Sequence, residues 1–342
     1  MKRKLASIQS VIAIEPIPNA DAIELARIQG WQCVIKKGEL RAGDLGVFLE
    51  IDSIPPDDPR FTFLWHNKKD VESTERPAAF RLKTVRLRGM LSQGLLLPIQ
   101  QFPELIRPFV TGTDVTEILG VTKWEPPLPE MEDIAGPFLP GVPKTDEMRV
   151  QSVPSVLDEL AGRAYVMTLK CDGTSATFGI HQDTGEFTAC GRNWSIKRGS
   201  NTYWRVAETY HLEKSLQAHP HLAIQGELVG PGIQKNRLGL NCPQFRVFNV
   251  YDQQTCCFLG HDEAVAFLNE IKVPMVDVIE EGLSFDHDME SLLALAEGYY
   301  PGTQNEREGL VIRPKTEYQS PTLGGRLSFK VISNRFLLKG GD

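Results

Sequence analysis

Apolar and polar residues alternate in short runs through the first 125 positions. Leu5 to Ile14 alternates weakly, and Asn19-Ala20-Asp21 marks a turn. Ile23 to Ile28, Trp31 to Ile35 and Leu45 to Ile51 repeat strand and turn, with Gly38 and Gly43-Asp44 between them. Arg81 to Arg88 alternates apart from one slip at Val85-Arg86, and a further strand is expected from Gly94 to Ile99. Short strands at regular spacing, each closed by a turn signal, predict a small β-barrel.

The pattern changes after residue 125. Six prolines fall between Pro126 and Pro143. That density excludes a helix or a central strand and predicts an extended connector. Three segments follow: a barrel over 1–125, a Pro-rich linker over 126–150 and a second domain over 151–342. The second domain is expected to open on a short helix over Pro154 to Leu160. A strand over Tyr165 to Leu169 comes next and ends at an Asp172-Gly173 turn. Lys170 therefore stands at the end of a rigid element, where a reactive group is well positioned. In Phe245 to Tyr251, strict alternation places Phe245, Val247 and Asn249 on one face and Arg246, Phe248 and Val250 on the other. Leu292 to Leu295 reads as part of an amphipathic helix.

Composition narrows the functional classes. Of the 342 residues, 41% are hydrophobic and 24% charged, as in ordinary globular proteins, and no apolar run reaches a membrane span. The six cysteines are scattered without a CxxC pair, which predicts free thiols and a cytoplasmic protein rather than a disulfide framework or a zinc site. The net charge of −7 is uneven: residues 1–125 carry +1 and the remainder −8. Between Lys272 and Arg307 there is no Lys or Arg, so this acidic stretch is expected to face away from any polynucleotide. In the first domain, Arg81, Lys83, Arg86 and Arg88, with Lys36 and Lys37, are the candidate nucleic-acid contacts. A solvated basic strand edge is the simpler reading of the same residues.

In the second domain the candidate chemistry lies in an ordered series. Lys170-Cys-Asp-Gly-Thr-Ser175 is followed by Gly226-Glu-Leu-Val-Gly230, then Phe245 to Asp252, then Glu308-Gly-Leu-Val-Ile-Arg-Pro-Lys315, then Ser328-Phe-Lys-Val331. Taken singly, none is specific. Together they resemble the collinear motifs of the covalent nucleotidyltransferases, and among these the ATP-dependent RNA ligases that seal nicks and carry an N-terminal OB-like module. The resemblance spans essentially the whole chain. It implies an α+β protein: an OB-like β-barrel, then an adenylyltransferase domain of two antiparallel sheets flanked by helices, with the nucleotide between them.

The resemblance also implies roles. Lys170 would attack the α-phosphorus of ATP to give lysyl-AMP. AMP would pass to a 5′-phosphate, and a 3′-OH would then displace it. Lys170, Asp172, Glu227, Glu308 and Lys330 are the implied catalytic residues. Asp172, Glu227 and Glu308 would hold Mg²⁺ or Mn²⁺. Gly173, Thr174, Arg192, Phe248, Arg313 and Lys330 would contact the nucleotide, with Phe248 stacked on adenine, and Lys235 and Arg237 would present cations to nucleic acid.

The chemistry fits these residue types. A lysine must be neutral to attack, and a neighbouring carboxylate raises its pKa. Asp172 alone would oppose the reaction, whereas a divalent ion among the carboxylates would relieve it. Departures from the family pattern are Ser175, Asn249 and a single lysine in the last motif. The expected partners are ATP and a nicked duplex with RNA on the 3′-OH side, bound by a monomer in RNA repair. Other readings are a DNA ligase or guanylyltransferase of the same superfamily, or a non-catalytic OB-type binding protein.

Overall fold

The computed structural model describes residues 3–65, 75–78, 80–105, 107–125 and 133–339. These form two compact units, one over 3–125 with 337–339, the other over 133–336. Among the described residues no helix is long and apolar enough to cross a membrane.

The first unit is built from short antiparallel strands. Ala6–Ser10, Leu45–Leu49 and Leu95–Pro98 make one sheet, and Ala13–Pro16, Ile23–Ile28 and Trp31–Lys36 another. Alternation does the packing: Trp31, Cys33 and Ile35 are buried while Gln32 and Val34 are only partly so. The run Leu5 to Ile14 is two strands rather than one, broken where Val11 turns inward and Ile12 is exposed.

Arg81 to Arg88 also departs from expectation. Only Thr84–Leu87 is a strand, paired with Met90–Gln93 around an Arg88-Gly89 turn whose two residues are both left-handed, at φ 47° and 84°. Arg81 precedes the strand and is buried, 3.6 Å from Asp52 and 3.8 Å over the Trp124 ring. It is a structural cation in place of the nucleic-acid contact expected of it, because ring and carboxylate replace its water. Lys83, Arg86 and Arg88 are exposed, as are Lys36 and Lys37.

The second unit has two sheets. The larger runs Ile134–Pro137, Trp194–Ile196, Phe187–Cys190, Thr174–Ile180, Leu222–Val229, Gln244–Asp252 and Cys257–Phe258, each pair antiparallel. One face is covered by the helices Thr202–Thr209, Leu212–Ala218 and His261–Glu270. The smaller sheet runs Met148–Arg149, Phe329–Ile332, Gly309–Pro314, Tyr165–Lys170 and Val278–Gly282. It packs on Val156–Leu160 and Met289–Ala296. Its pairs are antiparallel except at the edge, where Met148–Arg149 runs parallel to Phe329–Ile332.

The Pro-rich stretch is not wholly a connector. Its first residues, 126–132, lie outside those described, but Ile134–Pro137 and Met148–Arg149 are edge strands of the two sheets. Proline is tolerated at such an edge because the missing N–H would face outward.

Candidate active site

Register alone brings the key cations together. In the smaller sheet Val166, Thr168 and Lys170 pair with Arg313, Val311 and Gly309, and Val311 in turn pairs with Lys330. Laterally paired residues share a face, so Lys170, Arg313 and Lys330 project from the same side. In the larger sheet Ser175 pairs with Glu227, and Thr177 with Gln225. Ala176 and Phe178, of opposite parity, lie in the core under the helices. Glu227 is thus on the side away from those helices. The two sheets are joined directly through Cys171-Asp172-Gly173. That link is tight: a Cβ on Gly173 would lie 2.3 Å from the Leu228 carbonyl oxygen. Gly309, at φ 152°, is equally constrained, since a Cβ there would lie 2.1 Å from the Val331 carbonyl.

Lys170 Nζ lies 2.7 Å from Glu308 Oε1, with both side chains largely shielded from solvent. Burial pushes the lysine pKa down, but Glu308 and then Glu227 outweigh it, and the net direction is up. The carboxylates that oppose deprotonation are therefore Glu308 and Glu227, whereas the sequence pointed to Asp172. Glu227 is pushed up to about 8, mainly by burial, with Lys170 opposing and Glu308 and Asp172 reinforcing. Cys171 is buried beside Leu169, Val229 and Tyr300, and burial followed by the charge of Glu227 pushes its thiol well up.

Asp172 faces a different partner. Its Oδ2 accepts from Arg237 Nε at 2.9 Å, and the Arg237 guanidinium sits 4.6 Å from the centre of the Phe336 ring. Arg237 is buried and structural, contrary to its expected role as a nucleic-acid contact, because its charge is already matched by Asp172. Lys235, two residues earlier in the loop, is exposed. Among the described residues no three His, Cys, Asp or Glu side chains converge as a metal-ligand set. The expected trio of Asp172, Glu227 and Glu308 lies close enough for Glu308 and Asp172 both to push the Glu227 pKa up, while Arg237 pairs with Asp172.

At the other end of the cationic face, Lys330 Nζ donates to Asp146 at 3.2 Å, and Arg192 lies 3.4 Å from the same carboxylate. Burial pushes the Lys330 pKa down, Asp146 opposes, and Lys170 and Arg149 add to the fall. Arg313 donates to Glu147 at 2.8 Å, to Ser328 Oγ at 3.0 Å and to the Phe248 carbonyl at 3.0 Å. Burial would raise Glu147, but Arg313 and Lys330 hold it down at about 2.

Phe248 is a bulge. The pairing with Leu222–Val229 skips from Val247 to Asn249, which reverses the alternation beyond it. Phe245, Val247 and Val250 are in the helix-covered core, while Asn249 turns to the other face, donating to Gln225 and accepting from Arg326. The expected assignment of Asn249 and Val250 is thus exchanged. Phe248 packs with the cluster around Leu169 and Tyr300, and lines a water-sized cavity of about 20 Å³ with Val166, Thr168, Arg313 and Arg326.

Three residues at this site went unread in the sequence. Asp146 and Glu147 were assigned to the linker. Tyr300 lay in the acidic stretch expected to face solvent, yet it is 1% exposed and its hydroxyl contacts Lys170, Asp172 and Glu308. The only signal was the pair Tyr299-Tyr300 before a Pro-Gly turn, close upstream of Glu308.

A lysine at a strand end against buried carboxylates, between two sheets and beside a face of further cations, is the arrangement that the resemblance to nucleotidyl-transferring ligases leads one to expect. A family model for an OB-fold domain matches residues 5–99 and one for RNA ligase matches 163–332. Among solved structures, the Naegleria gruberi RNA ligase with PPi is 38% identical, with 100% of each chain covered and a TM-score of 0.86. A mutant of that ligase with ATP and Mn, and another with AMP and Mn, are each 38% identical over 98% of both chains, with TM-scores of 0.86. No match was found among curated protein sequences. The chain belongs to the RNA ligase family, as an enzyme with an N-terminal OB-fold domain.

Proposed function

We propose that the protein is an ATP- and divalent-metal-dependent ligase that joins RNA 3′-OH and 5′-phosphate ends, acting at nicks in a duplex with RNA on the 3′-OH side. The observation that carries this reading is Lys170 Nζ at 2.7 Å from Glu308, beside Glu227. Lys170, having lost a proton, attacks the α-phosphorus of ATP; a P–N bond forms and the bond to pyrophosphate breaks. An oxygen of the 5′-phosphate end then attacks the same phosphorus, the P–N bond breaks and Lys170 regains a proton. The 3′-OH finally attacks the adenylylated 5′-phosphate and AMP leaves. Relatives with ATP and Mn and with AMP and Mn support this assignment of nucleotide and metal.

Asp172, Glu227 and Glu308 are the carboxylates that would hold a divalent ion, directly or through its waters. Glu227 is pushed up by burial and by the charges of Glu308 and Asp172, with Lys170 and Arg192 opposing. Carboxylates, substrate phosphates and water suit a hard cation. When bound, such an ion supplies positive charge that favours the neutral amine and offsets phosphate charge. Asp172, clamped by Arg237, orients the turn after the nucleophile. Arg192 and Lys330 would meet phosphate oxygens, Gly173 and Thr174 would border the nucleotide, and Arg313 buttresses Glu147. Phe248 would stack on the base. On the OB-fold domain, exposed Lys83, Arg86 and Arg88 are the cations available to a polynucleotide.

The test is transfer of label from α-labelled ATP to the denatured protein with Mg²⁺ or Mn²⁺, followed by sealing of nicks that carry RNA or DNA on each side. Label on wild type and none on Lys170→Ala is expected. Equal sealing of an all-DNA nick would overturn the strand preference.

A further inference from the structure

The ladder between the strands Tyr165–Lys170 and Gly309–Pro314 ends at the pair Lys170 and Gly309. Beyond it the chains part, one toward Asp172 and the other toward Glu308. The Tyr300 hydroxyl spans that divergence. It donates to the Lys170 carbonyl at 3.1 Å and accepts from the Asp172 N–H at 2.9 Å and the Glu308 N–H at 3.2 Å. A phenol has one donor and two acceptor lone pairs, so its capacity is filled by the three backbone groups that flank the nucleophile and its carboxylate. Burial, and then the charge of Glu308, pushes the phenol pKa up, so the donor is kept.

The loop behind Tyr300 is itself fixed. Tyr300 N–H donates to the Asn305 carbonyl at 2.9 Å, and the Thr303 N–H and hydroxyl both donate to the Tyr300 carbonyl at 3.0 Å. Asn305 Nδ2 donates at 2.8 Å to the carbonyl of Arg237, the residue that holds the Asp172 carboxylate. One loop therefore grips Asp172 by its backbone and, through Arg237, by its side chain.

We infer that Tyr300 is a positioning residue for adenylyl transfer: its hydroxyl fixes the backbone of Lys170 against that of Glu308 and so sets the line along which the amine meets the α-phosphorus. This rests on the reading of Lys170 as the acceptor of AMP. The demand is specific to the first step, because in the last step the 3′-OH attacks and Lys170 is not the nucleophile.

Tyr300→Phe keeps the ring and removes only the hydroxyl. In single-turnover labelling with ATP and Mg²⁺, the rate constant at saturating ATP should fall about 30-fold, since displacements well under 1 Å already slow an aligned displacement. The ATP concentration giving half the maximal rate, and the rate of sealing a pre-adenylylated nick, should each change less than about threefold. Asn305→Ala, at an exposed position, frees the same loop from Arg237 and should give the same step-selective loss at about fivefold. It keeps the test open if Tyr300→Phe does not accumulate as folded protein. Unchanged labelling by the variants, or equal losses in labelling and in sealing of the pre-adenylylated nick, would overturn the inference. Wild-type protein that takes no label would instead remove the proposed function itself.

Discussion

Lys170 and Lys330 stand on one face of one sheet, and their surroundings drive them in opposite directions. Lys170 faces Glu308 and Glu227 and is held protonated. Lys330 is also paired, to Asp146, but the Asp146 side chain is 49% exposed, and burial with Lys170 and Arg149 nearby drives its pKa down. Pairing at a similar distance does not make two lysines equivalent. What separates them is how dry the carboxylate is and whether further charges are like or unlike. The difference suits the proposed division of labour, in which the amine of Lys170 waits in a carboxylate cluster and that of Lys330, which would meet phosphate, has only a weak competitor.

The contrast can be broken at several points. Lys170→Ala should abolish labelling by ATP, at least about 10³-fold, whereas Lys330→Ala should slow it about 10²-fold and leave the lysyl-AMP detectable, as expected for loss of one charge-stabilising donor. Detection of lysyl-AMP in Lys170→Ala would end the assignment. Glu308→Gln removes the nearest charge holding Lys170 protonated. In metal-free buffer near pH 8, its reaction with an amine-directed reagent, read by peptide mapping, should rise about tenfold, while Lys330 should be little changed.

Glu227 offers a pH test. Its folded pKa of about 8 lies above the ordinary carboxylate value, so the folded state holds the extra proton. The associated stability is present below about pH 4.5 and is lost as pH rises through 8. Glu227→Gln should flatten that slope and raise the metal-free Tm above pH 8, by roughly 2–4 °C for each kcal/mol recovered. A wild-type Tm that is flat across this window would contradict the environment assigned to Glu227. The smallest effect is expected from Asp146→Asn, which removes the carboxylate competing for Lys330 and Arg192 and should lower the KM for ATP about threefold.

Much of this was legible before any coordinates. Periodicity located the strand ending at Lys170, and the resemblance to the family's ordered motifs pointed to Glu227 and Glu308. What escaped was whatever depends on two strands at once. The bulge at Phe248 leaves no mark in Phe245 to Tyr251, because alternation is written into one chain and a bulge into its pairing with another. Arg81 and Arg237 read as available cations because their neutralising partners, Asp52 and Asp172, lie far away in sequence. Tyr300 was hidden for the same reason: its hydrogen bonds to Lys170 and Asp172 close loops of about 130 residues. The acidity of its own stretch suggested the opposite face.

The burial of Cys171 has a consequence of its own. A cysteine directly follows the lysine in the chain, and its thiolate rather than its thiol would be the reactive form. Packed among Leu169, Val229 and Tyr300, Cys171 has its thiol pKa driven upward by burial and by the charge of Glu227. Burial thus keeps the sulfur in its thiol form beside the lysine, where it is a poor target for oxidation.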